Sequence, residues 1–136
     1  MRLTENFTLE ELTASSVAKR FNLNNSPSVV EIEKLKELCE KILQPIRTKF
    51  GEPILITSGF RNSSLNRIVG GSPSSQHLKG EAADLVCVDN QKLWNLILEM
   101  IKSGSITVGQ LINEKKLSWI HISLPTHAHK NQILYL

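Results

Sequence analysis

No stretch of the 136-residue chain is apolar for long enough to cross a bilayer, so no membrane insertion is expected. The opening residues, Met1-Arg2-Leu3-Thr4-Glu5-Asn6, lack the apolar core of a secretory leader. The chain is therefore expected to be made in the cytoplasm, and export would need another route. Charge of one sign is also scarce: 16 basic and 13 acidic side chains leave a net charge of only +3, scattered rather than in blocks. That is too weak a field to argue for a nucleic-acid partner, though it allows a mild attraction to an anionic polymer such as a cell wall. Two cysteines are too few for a disulfide framework; Cys39 falls in a helical pattern and Cys87 in an apolar strand pattern, as buried reduced thiols do. There is no internal repeat and no low-complexity tract. The length suits one domain, residues 1–136, and a monomer is expected.

What is present is a run of well-punctuated elements. Thr8-Leu9-Glu10-Glu11 is a capping box behind Phe7, and predicts a helix from Leu9 to about Arg20. The segment 22–27 is polar and turn-rich. Ser28-Val29-Val30-Glu31 opens a second helix carrying Ile32, Leu35, Leu38, Cys39, Ile42, Leu43 and Ile46 at helical spacing, with Pro45 as a kink or junction and Gly51 at its end. Residues 53–57 read as a buried strand. Asn62 or Ser63 caps a short helix that stops at Gly70-Gly71, and 72–75 is an irregular loop. Residues 82–88 form the next strand, and Asp89 or Asn90 caps a helix with Leu93, Trp94, Ile97, Leu98 and Ile101 on its core face, ended by Gly104. Residues 108–113 and 118–124 form a hairpin, with 132–135 as a last strand. This order predicts an α+β domain: a small antiparallel sheet packed with helices.

The chemistry concentrates in Ser75-Gln76-His77-Leu78-Lys79-Gly80-Glu81-Ala82-Ala83-Asp84 and in Trp119-Ile120-His121-Ile122-Ser123. Strand alternation puts Asp84 on one face with Ala82 and Val86, and His121 with Trp119 and Ser123, while Ile120 and Ile122 enter the core. A lone carboxylate inside an apolar strand is costly unless it is paired or metal-bound. His77, Asp84 and His121 make a three-ligand zinc site with room for water, provided the fold brings them together. Ordinary histidines and a satisfied buried acid are the alternative. His127 and His129 read as solvated loop histidines, and Trp94 as core.

The chain resembles the M15 metallopeptidases, which include zinc D-Ala-D-Ala carboxypeptidases and related cell-wall peptidases, and in particular their short single-domain phage and prophage branch. The resemblance rests on Ser58-Gly59-Phe60-Arg61, Leu65-Asn66, Gly70-Gly71, Ser75-x-His77-x-x-Gly80-x-Ala82-x-Asp84 and Trp119-x-His121. The stretches 6–12 and 43–47 add to it. It implies a zinc site on the sheet face in a D-Ala-D-Ala peptidase/Hedgehog-like fold, with His77, Asp84 and His121 holding Zn²⁺. Arg61 would face a substrate carbonyl or carboxylate, which a planar guanidinium suits; a surface ion pair is its plainer role. Ser75 would position substrate beside the metal or only bond within its loop.

The resemblance departs at Ser118. Well-known members of the wider family carry a Glu three residues before the second zinc His. Here the nearest upstream acid is Glu114, the expected general base; Glu81 is its competitor, and a solvated turn residue its plainer reading. The implied activity is hydrolysis of peptidoglycan stem peptides, first as a D-Ala-D-Ala carboxypeptidase. An endolysin-type endopeptidase is the alternative, and a wall-peptide-binding module without turnover is the competing class. Local opening of the wall during infection is a third role.

Overall fold

The computed structural model describes residues 1–136. Two short strands, β1 (Arg2–Thr4) and β2 (Phe7–Thr8), pair as an antiparallel ribbon that the sequence pattern did not predict. The Thr8 capping box forms as expected and starts α1 (Leu9–Thr13). The predicted helix to Arg20 is instead two helices. Ala14 turns extended, and Ser15 caps α2 (Ser16–Arg20) by accepting the Ala18 N–H at 3.1 Å. Serine side chains compete for backbone partners, so Ser15-Ser16 favours a new cap over a continuing helix.

The Ser28 capping box opens α3 (Val29–Leu38), followed by a π-helical segment, Cys39–Leu43, and α4 (Gln44–Phe50). Pro45 explains the junction. It has no N–H for the carbonyl four residues earlier, and the widened turn, with Gln44 N–H donating to Cys39 O, accommodates it. Leu35, Leu38, Cys39, Ile42 and Ile46 still reach the core through this irregularity.

β3 (Leu55–Ser58) begins later than predicted, and only one face is buried: Ile56 is covered while Leu55 is 61% exposed, because alternation turns Leu55 to the sheet face away from the core. Then come α5 (Ser63–Ile68), capped by Asn62, and a 3₁₀ turn over Gln76–Lys79. β4 (Ala82–Val86) and α6 (Asn90–Lys102), capped by Asp89, follow. β5 (Gln110–Glu114), β6 (Trp119–Ser123) and β7 (Gln132–Tyr135) close the chain.

The five-stranded sheet has the order β3-β4-β6-β5-β7. All neighbours are antiparallel except β5 and β7. The α+β domain and its antiparallel sheet are as expected, and the sheet is mixed only at one edge, where β7 runs parallel to β5. The connection after β6 is short, so β7 must start near where β6 ended and run the way β5 runs. One sheet face, with Ala83, Leu85, Leu111, Ile120 and Ile122, joins Leu35, Leu38, Ile42, Leu93 and Ile97 from the helices in one core. Each leucine or isoleucine among these, fully buried, contributes about 1.5–3 kcal/mol. The opposite face is free to carry polar groups, and the site lies there.

Candidate metal centre

Register brings the predicted residues together. Asp84 on the central strand β4 lies opposite His121 on β6 and opposite Ser58 on β3. His77 arrives from the 3₁₀ turn, which Ser75 caps by accepting the His77 N–H at 3.1 Å. Gly80 ends that turn at φ +72, where a Cβ would meet Glu31 O at 2.7 Å, so only glycine lets the turn close against α3.

His77 is 3% exposed, and its Nδ1 lies 2.7 Å from the Gly59 carbonyl oxygen. A carbonyl only accepts, so Nδ1 carries the proton and donates, leaving the Nε2 lone pair toward the cavity. Gly59 in turn packs its backbone on α1, where a Cβ would fall 2.2 Å from Leu12 O. Asp84 Oδ1 lies 3.3 Å from His77 Nε2 and 3.1 Å from His121 Nδ1. One donor atom from each residue lies within 4.8 Å of the others. Zinc–nitrogen bonds of about 2.0–2.1 Å in a tetrahedron require ligands roughly 3.3 Å apart, and the two nitrogen–oxygen separations match. The donor set therefore fits zinc, with three protein ligands and an open side. Burial pushes the Asp84 pKa up, but the His121 and His77 rings outweigh it and hold the carboxyl well below the usual range.

Arg61 lies beside this trio, not on the surface. Its Nε donates to Ser58 Oγ at 3.0 Å, Nη1 to Asn66 Oδ1 at 3.1 Å and Nη2 to Asp84 Oδ2 at 3.4 Å. Burial lowers its pKa, and Asp84 acts against that. Asn66, 4% exposed, also donates from Nδ2 to Ser72 O, joining the arginine to the loop before His77. Gly71 makes room for this: a Cβ there would be 2.1 Å from Asn66 Oδ1 and 2.8 Å from Arg61 Nη1. Leu65-Asn66 and Gly70-Gly71 were visible in the sequence as motifs, but the part of Asn66 and Gly71 in seating Arg61 was not.

The trio forms the floor of a cavity of about 380 Å³ that Arg61 and Ser75 also line. Glu114 lies on its wall, half-buried, and its carboxylate has no hydrogen-bond or ion-pair partner in the protein. Glu81 is not on the wall; it sits 3.4 Å from Gln76 Nε2 and 3.9 Å from Lys34 Nζ. Ser118 is exposed and donates to Lys115 O. The two late histidines part company. His127 is exposed as expected, whereas His129 is half-buried on the cavity wall, along with Gln110, Ile112 and Trp119. The His-x-His spacing carried no signal for this, because the placement depends on where β7 joins the sheet. No helix is long and apolar enough to cross a membrane.

A family model described as Peptidase M15 matches residues 5–123, most of the chain. No curated protein matches it.

Proposed function

The chain belongs to the peptidase M15 family, a family of metallopeptidases, and we propose that it hydrolyses peptidoglycan stem peptides, with His77, Asp84 and His121 holding zinc. The observation that carries the proposal is the convergence of those three donors on the floor of a cavity whose wall holds one unpartnered carboxylate, Glu114.

Zinc bound there would supply Lewis-acid polarisation of the scissile carbonyl and activation of water. The protein's own groups do the rest. His77 keeps its proton on Nδ1 through Gly59 O, so its Nε2 stays available as a ligand. Glu114, free of partners, takes the proton of the attacking water and returns it to the leaving amine. Arg61, held by Ser58 and Asn66, presents positive charge beside Asp84, where it can stabilise the oxygen that becomes negative. Ser75 uses its hydroxyl to cap the turn that carries His77 and also faces the cavity, so it bears on substrate chiefly through that turn.

Removal of a terminal D-Ala from a D-Ala-D-Ala end is the first activity proposed. Endopeptidase cleavage is the second, and it is favoured by the cavity wall extending on both sides of His121 along β5, to Gln110 and to Glu114. Purified peptidoglycan and a D-Ala-D-Ala peptide are to be incubated with the zinc-loaded protein and the products identified by mass. Loss of one D-Ala supports the first activity, and internal stem-peptide fragments support the second. Zinc uptake and peptide binding with no chelator-sensitive cleavage would leave a wall-peptide-binding module instead.

A further inference from the structure

His129 reaches the cavity by way of the connection between β6 and β7. This segment passes the end of β5 where Gln110 lies, and it is pinned at both ends. Leu124 N–H donates to Glu81 O at 2.9 Å; Asn131 N–H donates to Val108 O at 2.6 Å, and Asn131 Oδ1 accepts the Val108 N–H at 2.9 Å. In between, Thr126 N–H donates to His129 O at 2.9 Å and His129 N–H to Thr126 Oγ1 at 3.1 Å, closing a tight turn. The backbone is thus fixed, and the imidazole is set on the wall with neither ring nitrogen hydrogen-bonded to the protein.

The cavity has a polarity that the strand register defines. Residues 110, 112 and 114 share the face of β5 that lines it. Ile112 lies opposite His121, so Gln110 and Glu114 stand two residues to either side, each about 7 Å along the strand. Glu114 makes one end acidic. The other end collects Gln110, His129 and the serine loop before His77, which Gln76 ties to the same connection by donating to Leu124 O at 3.0 Å. Apart from Asp84, which the histidines and Arg61 occupy, no carboxylate but Glu114 lines the cavity.

We infer that His129, together with the one N–H of Gln110 Nε2 that its bond to Gln132 Oε1 at 2.9 Å leaves over, forms a subsite for a free carboxylate of the substrate, within about one residue of the scissile bond and on the side of His121 away from Glu114. His129 is then a specificity-determining residue, held on a segment beyond the stretch 5–123 that the family model matches. The inference rests on the peptidase reading. Such a carboxylate has two sources in a stem peptide: the α-carboxylate of a C-terminal residue, or an acidic side chain.

Three probes separate these: a peptide ending in D-Ala-D-Ala with a free carboxylate, its C-terminal amide, and an amidated stem peptide with an internal acidic side chain. The full chain, zinc-loaded, is compared with His129→Ala, His129→Gln and the exposed control His127→Ala. Loss of a hydrogen bond to a charged group should lower kcat/KM for the preferred carboxylate peptide about 10- to 100-fold in His129→Ala. Most of this should appear in KM, with zinc content and Tm unchanged. His129→Gln, which keeps an N–H donor, should recover part of the loss, and the plain amide should be cut equally slowly by all variants. A second measurement needs no turnover. The His129 imidazole NMR signal, assigned by its absence from His129→Ala, should move with one of the carboxylate peptides and stay still with the amide. Equal kcat/KM for the carboxylate peptide in wild type and His129→Ala overturns the inference, as does an imidazole signal that no carboxylate peptide moves. If the wild type cleaves nothing, the peptidase reading fails, and the imidazole signal still decides whether the subsite exists.

Discussion

Glu114 and Glu81 show how much one residue's surroundings decide. Glu81 is closer in sequence to His77 and Asp84, yet it faces Gln76 and Lys34. Glu114 is distant in sequence and lies on the cavity wall with an unengaged carboxylate. Glu114→Gln should lower the rate by about 10²–10⁴-fold with zinc retained, whereas Glu81→Gln should keep nearly full activity; steady-state kinetics with elemental analysis of both variants checks this. Near-normal turnover by Glu114→Gln would remove it from the proton transfer. The two thiols differ for a related reason. Burial pushes the Cys39 thiol up to about 12, with nearby Glu11 and Glu40 acting in the same direction. A maleimide at pH 8 should therefore modify half-exposed Cys87 in the native protein and Cys39 only after unfolding. The folded state favours the protonated Cys39 thiol. Its contribution to stability is thus complete below the ordinary pKa of 9.0 and is lost as pH rises from there through about 12. Alkaline denaturation should shift to higher pH in Cys39→Ala once its lower neutral-pH stability is subtracted.

At the scale of elements, the hairpin between β5 and β6 stands out. Lys115, Lys116 and Leu117 have φ of +47, +56 and +59, three left-handed residues in succession without a glycine. The turn holds because other groups determine it. Leu117 N–H donates to Asn113 Oδ1 at 2.7 Å, Asn90 Nδ2 donates to Leu117 O at 2.9 Å, and Ser118 N–H returns to Glu114 O at 2.9 Å. A left-handed L-residue costs about 1–2 kcal/mol, and glycine gives back roughly half of that in unfolded-chain entropy. Lys116→Gly should therefore stabilise the protein by about 0.5–1 kcal/mol and raise Tm by a few degrees without changing kcat/KM. A lower Tm would mean that the turn is not strained at this position. The same scale shows where reading by pattern fell short: the helix predicted over 9–20 breaks at Ala14-Ser15, and the π-helical segment before Pro45 adjusts backbone hydrogen bonding without disturbing the apolar spacing.

At the scale of the molecule, the site ties the layers together. Asp84 and His121 come from the sheet, His77 from a loop held by Gly59, and Gly59 from a backbone packed on α1. A metal that binds this assembled trio and not the unfolded chain must stabilise the whole fold. At zinc concentrations a hundredfold above its dissociation constant the gain is about 2.7 kcal/mol. Thermal denaturation should accordingly show Tm rising with added zinc and falling with a chelator, and His121→Ala should remove the zinc dependence. A wild-type Tm indifferent to zinc would argue against the metal centre.

By itself the sequence determined what local chemistry and periodicity can carry. The two capping boxes, the glycine stops after 50 and 103, the helical stripe from Leu35 to Ile46 and the alternation around Asp84 and His121 all depend on neighbours a few residues away, and all appear in the structure. The motifs also pointed to the family. Tertiary structure decided what depends on distant partners. The register of β4 against β6 sets Asp84 opposite His121, and the parallel docking of β7 on β5 carries His129 to the cavity. The close approach of Gly71 seats Arg61 against Asn66. These are contacts between segments far apart in the chain. Their geometry follows from how sheet and helices share one core, and no local pattern encodes it.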